Sequence, residues 1–172
     1  MWDSIFDILH LKELLVILQT CKWLQKTLQR YWAKVFNFST LLHPFLTLES
    51  IESFRRLLQT SGGIISGSSA LQFLDRRAFN TSSDLDLYVH RQQSPIVQAW
   101  FQTQGFSEVS PEHALVDAGA HYCQSNEIVS VVNLKLDVSS RIIQLISTKR
   151  DPIFAVLSFH SSMLLSCYLS CC

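Results

Sequence analysis

The stretch "GGIISGSSALQFLDRRAFNTSSDLDLYVH", Gly62 to His90, decides the architecture of this chain. A short apolar run, Ile64–Ser66, leads into Gly67-Ser68, and "SALQFLDRR" opens there as a helix. "DLDLYVH" (Asp84–His90) then alternates, with Asp84, Asp86 and Tyr88 on one side and Leu85, Leu87 and Val89 on the other. That is the period of two that a strand imposes on its side chains. Two carboxylates therefore leave one face of a strand whose other face is made for a core, roughly 6–7 Å apart at their α-carbons.

A Gly-Ser pair at a strand-to-helix turn suits a phosphate. The glycine lets the phosphate approach the backbone, N–H groups at the helix start point outward, and the hydroxyl of Ser68 adds a donor. Asp84 and Asp86 repel each other unless a cation lies between them or one is protonated. Oxygen ligands beside a phosphorylated substrate favour Mg²⁺ or Mn²⁺. The pair reads as half a cage for a divalent ion that carries a nucleotide's phosphates. The competing structural reading has Asp84 capping a turn after "NTSS" and Asp86 paired with Arg76 or Arg77.

Working outward, Met1 to about Phe45 carries a helical stripe: Leu11, Leu14, Leu15, Leu18 and Cys21, continued by Leu24, Leu28, Tyr31, Trp32 and Val35. No Gly or Pro interrupts it before Pro44, so it predicts two helices joined near Gln19–Cys21, or one long one. A further helix runs from an N-cap at Thr47, through Ile51, Phe54, Leu57 and Leu58, to the stop at Ser61–Gly63. Downstream, "SPIVQAWFQTQG" is a helix capped by Ser94 and ended by Gly105. "EIVSVVNLKLDV" (Glu127–Val138) and "RIIQLIST" (Arg141–Thr148) are strands joined by a turn at Ser139-Ser140. Asp151-Pro152 precedes a final helix. The order β-α-β-α-β-β-α after a helical start predicts an α+β fold, a mixed sheet covered by helices.

Lys plus Arg and Asp plus Glu are 14 each in 172 residues, so the formal net charge is zero. A neutral chain argues against gripping nucleic acid through bulk charge, although Lys135, Arg141, Lys149 and Arg150 offer a local basic face. The five cysteines (Cys21, Cys123, Cys167, Cys171 and Cys172) show no zinc spacing and read as reduced thiols of an intracellular protein, in cytoplasm or nucleus. The N-terminus carries acid where a secretory signal carries base. Ile153–Cys172 approaches membrane-spanning length, but its serines and His160 favour a buried helix on a sheet, with His160 a packed core residue. No membrane association is expected.

In order, spacing and strand context, "SGSSAL…SDLDLYV" resembles the signature of the nucleotidyltransferase superfamily, the fold shared by DNA polymerase beta and many small transferases. The likeness runs over roughly Gly62 to Ser162. With "FHSSML" near the end, the arrangement is similar to a group of fungal proteins of that fold. The resemblance implies a nucleotidyltransferase-type mixed sheet, with Gly67 and Ser68 contacting the triphosphate of an NTP. It makes Asp84 and Asp86 the catalytic, metal-holding pair for Mg²⁺ (or Mn²⁺), in transfer of a nucleotide to a hydroxyl acceptor. A third acidic residue on a later strand belongs to that pattern, and at the expected position in "RIIQLIS" this chain has Gln144. Asp137 reads as the last residue before a hairpin, and Glu127 is more remote. Glutamine is neutral, offers one carbonyl oxygen and cannot act as a general base. The expectation is thus split between an active transferase and a degenerate domain that binds NTP without turning it over.

"IFDILHLKELLVILQTCKWLQKTLQRY" resembles the helical core of an F-box, around Thr20-Cys21-Lys22. That resemblance implies docking of residues 1–45 on a Skp1-like adaptor, against the alternative of a helical cap on the second unit, residues 46–172. The ending "SCYLSCC" is unlike a domain terminus, so a C-terminally truncated or misassembled chain is the expectation.

Overall fold

The computed structural model describes residues 2–76, 83–109, 126–137 and 141–158. Arg77, Cys123, the Ser139-Ser140 turn, His160 and the rest of the C-terminal run after Ser158 lie outside them. The fold is α+β: a five-stranded mixed sheet flanked by helices. Its strands are β1 (Ile64–Ser66), β2 (Leu85–His90), β3 (Phe106–Val109), β4 (Ile128–Leu136) and β5 (Ile142–Thr148), in the order β1-β2-β5-β4-β3. Only β2 and β5 run parallel among these neighbours; the other three pairings are antiparallel.

Four helices precede α5 (Leu48–Ser61): α1 (Trp2–Ile8), α2 (Leu11–Ile17), α3 (Lys22–Val35) and α4 (Phe38–Leu42). The break before Lys22 falls where the sequence places it. Two further breaks come without glycine or proline. His10 adopts extended backbone and shares a capping box with Glu13, while Asn37 accepts a hydrogen bond from the Ser39 N–H at 3.0 Å. Polar side chains that compete for backbone N–H groups end these helices.

Helix α5 starts after Thr47, buries Ile51, Phe54 and Leu58, and ends at Gly62, whose φ of 63° is the left-handed cap glycine supplies. Helix α6 (Gly67–Leu74) follows β1 directly, and α7 (Ser94–Thr103) follows β2. Gln93 rather than Ser94 occupies the cap of α7, and the Ser94 hydroxyl instead bonds Ser147 Oγ across the core at 2.7 Å. Helix α8 (Pro152–Leu157) begins behind Asp151, which accepts from the Ile153 N–H at 3.0 Å.

The period of two sorts the sheet into two apolar layers. Ile65, Leu85, Leu87, Val89, Ile143 and Leu145 pack against Phe54, Phe73 and Phe101 of α5, α6 and α7. On the opposite face Ile64, Tyr88 and Ile146 meet Ala155 and Val156 of α8. Burying one such large side chain is worth roughly 1.5–3 kcal/mol. Phe6, Leu14, Leu28 and Tyr31 make a separate cluster within α1–α3, whereas Phe38, Leu41 and Leu42 of α4 join the sheet core. Strand β3 extends the order read from sequence. It is a four-residue edge strand with a single buried residue, Phe106, too short for its alternation to register.

Candidate metal and phosphate site

Strand β1 ends at Ser66 directly opposite Asp86, and the chain turns at once into α6 through Gly67. Gly67 has φ 78°, and a β-carbon built on it would stand 1.8 Å from Asp86 Oδ2. Only a residue without a side chain fits there. The turn and the carboxylate are thus in contact, and Asp86 is 8% exposed. Ser68, the next residue of α6, faces solvent. Ser69 Oγ donates to the Asp84 carbonyl at 2.6 Å, and Gln72 Nε2 donates to Ser83 Oγ at 3.0 Å. These two bonds tie α6 to the entry of β2 and so fix where Asp84 begins.

The register sets one polar row across four strands: Ser66 on β1, Asp86 on β2, Gln144 on β5 and Asn133 on β4. Gln144 Nε2 donates to Asp84 Oδ2 at 3.3 Å. Asp84 therefore faces the side of the sheet that Gln144 and Asp86 share, as the alternation requires. Burial pushes the Asp84 carboxyl above its ordinary range, because the charged form loses water. Gln144 itself is 2% exposed, and its Oε1, like Asn133 Oδ1, is buried without a hydrogen-bond partner. Two buried carbonyl oxygens left unmatched in one row are uncommon, since an unsatisfied buried acceptor costs about 1–3 kcal/mol.

The remaining sequence candidates separate. Glu127 binds Arg150 at 2.6 and 2.9 Å. It precedes Ile128, which pairs with Thr148, four residues along β5 from Gln144 and roughly 13 Å away along the strand. Asp137 follows β4 in a turn and is exposed. Arg76 does not pair with Asp86; its guanidinium bonds the Phe6 and Leu9 carbonyls and the Tyr31 hydroxyl. Arg141 lies over the Phe45 ring and Arg150 over Phe154. Lys135, opposite Ile142, shares the face of Asn133 by alternation.

No family model, curated protein or solved structure matches this chain. What the site can do therefore follows from its donors. Among the described residues no group of three or more His, Cys, Asp or Glu is placed to hold a metal. Two carboxylates and two orphaned amide oxygens, all hard oxygen donors, fit a hard divalent cation and offer nothing to a thiophilic one. Asn133 escapes the sequence reading because a lone asparagine in an apolar strand carries no motif. Its signal is positional, lying in the antiparallel register of β4 against Gln144.

Proposed function

We propose that this chain is a nucleotidyltransferase-fold protein that binds a nucleoside triphosphate through a divalent metal, Mg²⁺ or Mn²⁺. Asp84 and Asp86 would hold the metal, and Gly67 and Ser68 would face the phosphates. The observation that carries the reading is the contact of Gly67 with Asp86. A carboxylate and a phosphate share one turn only when positive charge lies between them, so the glycine and the aspartate make chemical sense as two sides of a metal–phosphate seat. Asp84 and Asp86 supply the negative charge, Ser68 supplies an exposed hydroxyl donor, and Ser69 and Gln72 keep the strand entry in place. The bound metal would neutralise phosphate charge and orient the nucleotide.

Gln144, at the place where a third carboxylate would take a proton from an attacking hydroxyl, has no basic form to take it. Binding without efficient transfer is the favoured form of the reading. Titration calorimetry of ATP with Mg²⁺ tests it: wild type binds only with metal, and Asp84→Ala/Asp86→Ala does not bind. Equal binding in EDTA or by the double variant overturns it. A labelled-NTP assay that yields product overturns the degenerate form alone.

A second reading has its own observation. Ile5, Ile8, Leu11, Leu15, Val16 and Trp23 of α1–α3 are exposed, with Ile8 at 82%. An apolar helical surface of this kind suits docking on a Skp1-like adaptor, making the chain a non-catalytic F-box-like adaptor. Co-elution with such an adaptor, abolished by Leu15→Asp/Trp23→Asp, supports it; no co-elution rejects it.

A further inference from the structure

We infer that Gln144 and Asn133 are themselves ligands of the cation, so that one divalent ion is held by two carboxylates and two amide carbonyl oxygens, without needing a nucleotide. This rests on the reading of Asp84 and Asp86 as its carboxylate ligands. Gln144 and Asn133 are direct cross-strand partners, and Gln144 is in turn the partner of Asp86. Three neighbouring side chains on one face of a sheet stand over a span about two strand spacings wide, near 9–10 Å. That span matches two carbonyl or carboxyl arms reaching a common ion from either side, with oxygen–ion distances of about 2.4 Å.

The choice of cation over another ligand follows from the chemistry of what is left over. In Gln144 the donor end of the amide is used, by Asp84, while the acceptor end is bare. In Asn133 the buried orphan is again the oxygen. Both amides therefore present negative dipole ends to a row that already carries two carboxylates. A ligand that satisfies these two oxygens brings donors or positive charge, and beside two carboxylates a cation answers both needs. Neutral oxygens in place of a third carboxylate lower the charge of the cage to −2, which balances one divalent ion and leaves none for a second.

A mixed carboxylate–amide cage with several protein oxygens favours an ion that tolerates irregular coordination. Mg²⁺ keeps several waters and demands a near-octahedral arrangement, whereas Ca²⁺ takes Asn and Gln carbonyls readily. The order expected at this site is that Ca²⁺ displaces bound Mn²⁺ at lower concentration than Mg²⁺ does.

The test is Mn²⁺ binding to the full chain, read by electron paramagnetic resonance and calorimetry without nucleotide. Wild type takes up one equivalent. Gln144→Met and Asn133→Ala each weaken it at least about tenfold, with circular dichroism as wild type. Asn133→Asp, which preserves shape and adds charge, tightens it, a result that a purely structural amide would not give. Should the hydrophobic variants fail to fold, Asn133→Asp decides alone, and unchanged or weaker binding there counts against the assignment. Wild-type affinity in both amide variants, with loss in Asp84→Asn, removes the amides and leaves the carboxylate reading standing. Mn²⁺ uptake only in the presence of ATP does the same. No uptake under either condition removes both.

Discussion

The two ends of α6 meet two polar clusters that are built on opposite terms. Beyond its C-terminal end Arg76 reaches into α1–α3, where Nη1 donates to the Phe6 carbonyl at 2.6 Å and to Tyr31 Oη at 2.8 Å, and Nη2 donates to the Leu9 carbonyl. The Tyr31 hydroxyl donates to Asp7 Oδ1 at 2.7 Å, and its ring lies 5.9 Å from the guanidinium carbon. The buried atoms left over there are donors, Arg76 Nε and Trp32 Nε1 of α3. At the N-terminal end, around Asp84, Asp86, Gln144 and Asn133, the buried atoms left over are acceptors, Gln144 Oε1 and Asn133 Oδ1. The first cluster fastens the N-terminal helices to the end of α6; the oxygen-rich one, on the function proposed above, is a seat for something positive. Arg76 even holds a left-handed backbone, φ 56°, at about 1–2 kcal/mol for a residue with a β-carbon.

The sharpest way to break this contrast is Gly67→Ala. The new methyl collides with the Asp86 carboxylate and must adopt φ 78°, so overpacking and backbone strain together should cost about 3 kcal/mol. A fall in melting temperature on the order of 10 °C, with loss of ATP and Mn²⁺ binding, is the expected outcome. A variant that melts and binds as wild type means that turn and carboxylate are not in contact.

Arg76→Ala tests the other end. It strands two backbone carbonyls and the Tyr31 hydroxyl, at about 2–3 kcal/mol, and leaves the backbone strain as it is. Hydrogen exchange should show α1–α3 losing protection while β2 and β5 keep theirs, and Mn²⁺ affinity should stay at the wild-type value. Equal loss of protection in both regions would dissolve the distinction between fastening and seat.

Asp84→Asn probes the oxygen-rich end. Burial holds the Asp84 carboxyl above its ordinary range, so its ionised form opposes folding near neutral pH. The amide removes that charge and still accepts from Gln144. Metal binding should vanish while the metal-free protein melts about 1–2 °C higher, the usual opposition of function and stability. A lower melting temperature for the variant contradicts the account of a strained, oxygen-rich row.

The smallest effect concerns a contact outside both clusters. A hydrogen bond from Arg150 holds the Glu127 carboxyl below its ordinary range. The folded pKa being the lower one, the contribution is present above the unfolded value and disappears as pH falls through the folded one. Carboxyl ¹³C titration should show Glu127 shifted down in wild type and moved back towards the usual range in Arg150→Ala. The accompanying change in melting temperature at neutral pH should be barely resolvable, because the Arg150 side of the pair faces solvent.

How far the sequence reaches can be judged residue by residue. Gly67, Ser68, Asp84 and Asp86 are legible because a strand, a turn and an alternating strand each follow local rules, and local rules place them on shared faces. Gln144 is legible for the same reason, once β5 is known to run beside β2. Asn133 is not, since its meaning lies wholly in a cross-strand register. The helix breaks at His10 and Asn37 escape notice because polar capping, unlike glycine or proline, looks like ordinary helix composition. Strand β3 escapes because four residues with one buried side chain give alternation too little length.

The one parallel pairing among the described strands has a consequence for biosynthesis. Asp86 and Gln144 are neighbours across β2 and β5 although a third of the chain separates them, and α7, β3 and β4 must all be threaded in between. A ribosome-bound fragment ending before β5 would carry both aspartates and the glycine turn yet lack the strand that completes the row. On the proposed function, the nascent polypeptide therefore acquires its affinity for an ion late, in step with the slow closure of the longest-range strand pairing among the described residues.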